Sequence, residues 1–380
     1  MRLRSWCSLF LGFLACLFPL ACGSNAEAPD LPVFARPLHK LSWEGRGGGF
    51  KRWHCGAEFL CGVHVIPETL DVWKWNADRV DKVASVTLES GLVSQWLEGG
   101  RYIVEPLKEN VLVMKRAADK QELKRWEHPE EWWYCDFTRL SRNGRWVAVG
   151  LVEEPTKDPP DHDTHRPRIQ LGLLNPSQDE IKWLPVLRAK SYGAGQITAI
   201  ACSDDGAYVG VTGWNWGAAV IDVAANKVLW EVRPKGEAGS RDLAFSPDSK
   251  IVYVGGTQGC VYGMDARTGA IKTQWFASRS GKEEYGHRIE CMAVSPDGRF
   301  VAAGTGPEGE AYVWRADTGD FVGIFFHSWG TMQLVMFSPD SKQLATFVPG
   351  SIKVWRLPGR IANKPPDQTG KEGHTVRPPP

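Results

Sequence analysis

Three Ser-Pro-Asp triplets stand between pairs of short apolar runs: Ser246-Pro247-Asp248, Ser295-Pro296-Asp297 and Ser338-Pro339-Asp340. Looser versions occur upstream at Ser141-Arg142-Asn143 and Ser203-Asp204-Asp205. An internal repeat constrains a fold more than any single residue does. Each copy must be a similar small unit that buries its apolar faces against its neighbours.

The copies can be phased by the Asp of each turn and the apolar residue that ends a later run. The pairs are Asp205 to Ile221, Asp248 to Met264, Asp297 to Trp314 and Asp340 to Trp355, at offsets of 15 to 17 residues. Two degenerate copies, Ala57 to Trp73 and Glu98 to Met114, keep an offset of 16. A further copy, Asn143 to Leu173, carries an insertion of about fourteen residues. Successive anchors lie 41 to 59 residues apart. Seven copies at such a period, each of four short strands, predict an all-β fold: a seven-bladed β-propeller over residues 38–357.

The sixth copy shows the local physics. Ile289 to Val294 is an apolar strand, and Ser295-Pro-Asp-Gly298 turns the chain. Proline presets φ at the second turn position and glycine suits the last. Phe300–Ala303, Ala311–Trp314 and Phe321–Phe325 are the next three strands, with Asp317-Thr-Gly319 as a second turn. One such sheet is too small to be stable alone, so neighbouring copies must stack.

Gly286-His287, Ser295-Pro-Asp-Gly298 and Val313-Trp314 together resemble a WD40 repeat. Val72-Trp73-Lys74 and Val354-Trp355-Arg356 share its ending. The Gly-His pair occurs once, and Val precedes the Trp where the family has Asp after it. Glu308 stands where WD40 blades usually carry a structural Asp, and His287 resembles their structural histidine. Ile221-Asp222 through Trp230, and Met264-Asp265 through Trp275, resemble the quinoprotein-like repeat instead. These resemblances imply a propeller and say little about activity.

Ring closure follows from the chain ends. No strand signal follows Trp355 and Leu357, and Gly359 with the Pro-rich segment 358–380 is poor strand material, read as a disordered tail. An orphan strand, Leu38–Trp43, precedes the first strand of copy 1, Phe50–Cys55. It is expected to pair with Ser351–Arg356 and so complete blade 7, which removes exposed sheet edges.

Residues 1–21 read as a signal peptide. Arg2 and Arg4 precede the apolar run Trp6–Ala21, which is short for a membrane span of about twenty residues. Pro19-Leu20-Ala21-Cys22-Gly23 resembles a bacterial lipoprotein signal, with Pro19 where that family usually has Leu. The resemblance implies lipid on Cys22, and residues 22–37 then form a tether. Ordinary cleavage after Ala26 and an uncleaved anchor are the alternatives. The expected location is the cell envelope, periplasmic or at the cell surface, with the membrane reached through the lipid.

Net charge is +1, with 23% charged residues, so no electrostatic case for nucleic acid arises. Eighteen tryptophans exceed ordinary usage. Trp73, Trp314 and Trp355 end third strands, while Trp126, Trp183, Trp230 and Trp275 fall late in fourth strands and should pack between blades. Of nine cysteines, Cys7, Cys16 and Cys22 belong to the signal. Cys135, Cys202, Cys260 and Cys291 fall one per blade, as buried thiols do. Cys55 and Cys61 flank the first turn of copy 1, where either a disulfide or two buried thiols fit. No spacing resembles a zinc site.

Function should sit on loops. Second-to-third-strand loops and interblade loops share one face, which collects the insertion Glu153–Arg168 and the connection Ser278–His287. The first contains Asp158, Asp161-His162-Asp163 and His165. A metal site and a solvated charged loop are the two readings, and Pro159-Pro160 with the density of charge favours the second. The same face should present Trp214, Trp216, Tyr285, His327 and Trp329, either as a protein-binding surface or as aromatics folded onto the rim. Gly-x-Ser-x-Gly, His-Glu-x-x-His, P-loop and Gly-x-Gly-x-x-Gly motifs are absent from the sequence. The expectation is a non-catalytic scaffold without cofactor that binds another envelope protein. The alternative is a propeller enzyme, quinoprotein-like dehydrogenase or lactonase in class, with convergent acids or histidines at the channel mouth.

Overall fold

The Ser-Asp chemistry of the repeat builds the same turn five times. In the sixth copy Ser295 Oγ donates to Asp297 Oδ1 at 2.7 Å, and that oxygen also accepts Arg299 N at 3.0 Å. Phe300 N donates back to Ser295 Oγ at 2.9 Å. Ser246–Asp248, Ser338–Asp340, Ser203–Asp205 and Ser141–Asn143 repeat this wiring. Proline is therefore optional in the turn. The Ser and the Asp or Asn are what satisfy its backbone amides.

A computed structural model describes residues 39–42, 50–55, 59–65, 68–76, 79–87, 95–97, 102–108, 111–129, 133–153, 168–188, 197–213, 217–234, 239–279, 287–349 and 351–358. The stretches expected to be signal peptide (1–21) and tether (22–37), and residues 359–380 of the expected tail, lie outside them. The described residues contain strands and turns and no helix. The strands form seven antiparallel sheets, which lie in one compact unit. Numbered in chain order, sheet 1 covers 50–87, sheet 2 95–127, sheet 3 133–188, sheet 4 197–232, sheet 5 240–276, sheet 6 289–326 and sheet 7 334–356.

Sheet 6 is representative: Ile289–Val294, Phe300–Thr305, Glu310–Arg315 and Phe321–Phe326 pair in sequence order. Its second strand is buried at every position. Neighbouring sheets cover both of its faces, which is why Phe-Val-Ala-Ala-Gly-Thr is a continuous run of apolar and small residues rather than an alternation. The fourth strands of sheets 2 and 5 behave oppositely, whereas that of sheet 6, Phe321–Phe326, keeps its four central residues buried. In Ile271–Phe276 of sheet 5 and Glu122–Glu127 of sheet 2, Trp275 and Trp126 are the buried residues and the rest are wholly or partly exposed.

Those tryptophans pack across to the next sheet. Trp126 clusters with Val147, Val149 and Leu151 of sheet 3. Trp230 Nε1 donates to Ala266 O of sheet 5 at 2.9 Å. Close approach of sheets also depends on small residues: a Cβ on Gly255 of sheet 5 would meet Ile289 Cγ2 of sheet 6 at 2.5 Å.

Sheet 7 has the order His39–Ser42, Ser351–Arg356, Gln343–Val348, Leu334–Phe337. The N-terminal strand thus occupies the fourth position, with His39 opposite Val354 and Ser42 opposite Ser351. Leu38 and Trp43, the ends of the expected strand, lie outside the described residues.

Sheet 3 differs from expectation. Its fourth strand is broken into Ile181–Trp183 and Leu187–Arg188, both paired with Arg168–Leu174. Pro185 sits in the break and cannot donate to a ladder. The freed carbonyl of Leu184 accepts Gln170 Nε2 at 3.0 Å. In sheet 1 the register sets Cys55 opposite Leu60 and Cys61 opposite His54. The two cysteines are one position out of register rather than a facing pair.

Candidate functional site

The third strand of sheet 6 opens with Glu310 and follows the turn Gly306–Gly309. The connection from sheet 6 to sheet 7, residues 327–333, lies against that turn. His327 N donates to Gly309 O (2.9 Å), Gly330 N to Pro307 O (2.7 Å) and Met332 N to Thr305 O (3.0 Å). Gly309 has φ of 67°, and a Cβ there would collide with the Ser328 carbonyl. Glycine is what allows the connection to lie so close.

Trp329 stands on this stitched connection and is 79% exposed. Its ring meets Phe326 edge-on, with centroids 6.4 Å apart. A large indole held out by a braced backbone loses little further freedom on contact with a partner.

Both ends of the neighbouring connection, Ser278–His287, are tied to the same turn. Arg279 donates to Glu310 Oε1 from Nε at 3.1 Å and from Nη2 at 2.5 Å. His287 Nδ1 lies 2.8 Å from Glu308 Oε1. The other oxygen of buried Glu310 accepts the Tyr312 hydroxyl at 2.7 Å. Burial, then that bond to a carboxylate, pushes the Tyr312 hydroxyl well above its ordinary range. The patch is a rigid, charged turn edged by an exposed Trp.

The other expected residues are placed unevenly. Trp214, Trp216 and Tyr285 lie outside the described residues, between strand ends that are described. The insertion 154–167 does too, although its base is closed by Glu153 and Arg168, whose Nε and Nη2 reach Glu153 Oε1 at 3.0 and 2.9 Å. His327 corrects the sequence reading. It is 1% exposed, with Nδ1 2.9 Å from Thr346 Oγ1 and Nε2 3.1 Å from Ser351 Oγ. Thr346 Oγ1 also accepts Trp355 Nε1 at 2.8 Å. His327 holds sheet 7 together and offers nothing to a partner.

The first strands of sheets 3 to 7 line a cavity of about 80 Å³, which includes Leu243, Phe245, Met292, Met336 and Phe337. Arginines of sheet 3 cross it. Arg139 Nη1 meets Asp242 Oδ1 of sheet 5 at 2.5 Å, and Asp242 Oδ2 accepts Met292 N of sheet 6 at 2.8 Å. Arg142 pairs with Asp204 of sheet 4 and reaches Pro296 O of sheet 6 at 3.3 Å. These long-range pairs carried no sequence signal, since Arg139 and Asp242 are 103 positions apart.

Residues 280–315 match the WD40 model described as WD domain, G-beta repeat. The chain is also 24% identical over 154 residues to an uncharacterized WD repeat-containing protein of Synechocystis sp.. That match covers 40% of this chain and 41% of the relative, so the chain spans about two fifths of the relative's length. Among solved structures it is similar to the β-propeller domain of Cps50 (Swd1) from Myceliophteria thermophila, with a TM-score of 0.58 and 14% identity. The match covers 85% of this chain and 99% of that one. At that identity the likeness shows the fold, a β-propeller.

His287 and Glu308, which the sequence set beside WD40 structural positions, both fall within the matched residues and meet at 2.8 Å. The spacing of His327 carries a signal that the sequence reading missed. His287 precedes Trp314 by 27 residues, and His327 precedes Trp355 by 28. Without a preceding Gly, the second histidine did not read as a copy of the first.

Proposed function

We propose that the seven sheets form one closed seven-bladed ring, with His39–Ser42 as its last strand, and that this ring is a non-catalytic scaffold. Its partner is another protein of the cell envelope, docked on the face that carries Trp329, Glu308, Arg279 and the connection Ser278–His287. The chain is exported, lipidated on Cys22, and tethered by residues 22–37. Trp214, Trp216 and Tyr285, outside the described residues, are proposed members of this face on chain order alone.

The observation that carries the reading is the exposure of Trp329 on a connection stitched to its neighbour by three backbone hydrogen bonds. Trp is enriched among residues that dominate binding energy. The WD40 resemblance supports a protein-interaction role. The cavity lined by the first strands favours it over the enzyme reading, because Asp204 in its lining and Asp242 next to lining residue Leu243 are committed to arginines. A general base or acid needs a group aimed at a substrate instead.

The test is crosslinked capture from solubilised membranes, comparing wild type with Trp329→Ala. One partner band lost in the variant supports the reading. A band of equal strength in both places the docking surface elsewhere.

A further inference from the structure

At the opposite end of sheets 6 and 7 lies a cleft of about 420 Å³ between the two sheets. Its rim carries Arg299, Arg315, Lys342 and Arg356, and its apolar wall includes Phe300 and Leu357. The walls are fixed. Asp297 N donates to Ser341 Oγ across the sheets at 3.1 Å, and Leu357 N donates to Lys342 O at 2.9 Å. Phe300 stacks with Phe337 of sheet 7, with centroids 6.3 Å apart.

Asp340 is the one acid on the rim. Two more acids stand beside it as supports. Asp297 Oδ2 accepts Arg299 Nε at 2.6 Å, and Asp317 accepts Arg315 Nε and Nη2 at 3.0 and 2.9 Å. Each guanidinium is thereby oriented and keeps further N–H donors. Lys342 lies 3.6 Å from Asp340. Arg356 is exposed and has no ion pair among the described residues. A planar guanidinium fork and a point ammonium around one cleft match the tetrahedral oxygens of phosphate.

We propose that this cleft binds a phosphate group, with an apolar part of its carrier against Phe300 and Leu357. The phosphate is either that of a soluble phosphoester or that of an anionic lipid headgroup. His39 pairs opposite Val354, so the N-terminal strand begins at this same end of sheet 7. The site uses none of the residues of the docking face and requires no lipid on Cys22.

The test uses the full chain with Cys22→Ala, so that no acyl group contributes. Inorganic phosphate is titrated by calorimetry. Separately, the protein is sedimented with vesicles of phosphatidylcholine, and with vesicles of an equal mixture of phosphatidylcholine and phosphatidylglycerol. Binding in the first arm supports a soluble phosphate, and retention by the anionic vesicles alone supports a lipid headgroup. Arg356→Glu should weaken whichever is seen by about tenfold or more, as loss of one charge-assisted contact implies. Lys342→Gln is the second variant, with strand content checked by circular dichroism. Trp329→Ala, on the other face, should bind as the parent does. No binding in either arm overturns the proposal. So does equal binding by the folded Arg356→Glu and Lys342→Gln variants.

Discussion

The Trp275 ring lies on the Trp314 ring, centroids 5.7 Å apart and planes 14° from parallel. One belongs to the fourth strand of sheet 5 and the other to the third strand of sheet 6. Tyr253 stacks on Trp275 at the same centroid distance. The contact between these sheets is thus a short aromatic pile.

Trp275→Ala should therefore cost about 3 kcal/mol or more, through lost burial and a cavity between sheets. Trp329→Ala should stay within about 0.5 kcal/mol of wild type, as exposed substitutions usually do. Urea denaturation midpoints check both. Similar losses for the two would mean that Trp329 packs like Trp275, and the docking surface would lose its anchor.

Thr346→Val should destabilise by about 1–3 kcal/mol, though the side chains are nearly the same shape. It removes the hydroxyl that meets buried His327 and accepts from Trp355. Thermal denaturation reads the loss. Capture of a partner through Trp329 should be unchanged at temperatures where the variant is folded.

Acid stability should depend on the repeated turns. Ser246 and Lys250 N hold the Asp248 carboxyl below its ordinary value, and Ser338 and Lys342 N do the same for Asp340. At Asp205 and Asp297 burial alone would raise the value, and hydrogen bonds from the turn outweigh it. A carboxyl lowered in the folded state stabilises above its unfolded value of about 3.9 and loses that contribution as pH falls through the folded value. Stability should therefore drop below about pH 4. Asp297→Asn should flatten the drop in a pH series of denaturation midpoints.

The alkaline limb has the opposite sign. Burial pushes the Cys202 thiol up to about 12. The folded state keeps that proton while the unfolded thiol loses it from about pH 8.5, so stability should fall as pH rises beyond that point. Cys202, Cys260 and Cys291 are buried. A thiol reagent at neutral pH should modify them only at the rate of unfolding, and fast labelling in native buffer would contradict this packing.

Cys22→Ala should release the protein from membranes, since the acyl chains are the proposed anchor and several chains hold where one is marginal. Fractionation of cells carrying each form reads it. Retention that is unchanged in Cys22→Ala and also survives Arg356→Glu would point to an uncleaved anchor; retention lost only on adding Arg356→Glu would point to the cleft between sheets 6 and 7.

The repeat was legible because its chemistry is local. Ser295 and Asp297 are two residues apart, and their side chains alone close the turn. Trp230 and Trp275 were legible for a similar reason, because their place late in a fourth strand fixes what they face. His327 misled because a connection between sheets ordinarily faces water, and burial there comes from Thr346 and Ser351, 19 and 24 positions later. The Arg139–Asp242 pair was invisible, since partners on separate sheets leave no spacing to count. Of the proposed docking face, Trp329 was expected, while the turn at Glu308 and Glu310 that braces its surroundings emerged only in three dimensions.

The strand His39–Ser42 is made early and finds its partner, Ser351–Arg356, only when nearly the whole chain exists. No nascent or partly threaded chain can finish sheet 7, and that pairing pays its loop entropy last. If the chain is exported unfolded, as proposed, this ordering works as a latch: the final strand cannot lock until the last sheet has followed the first residues through.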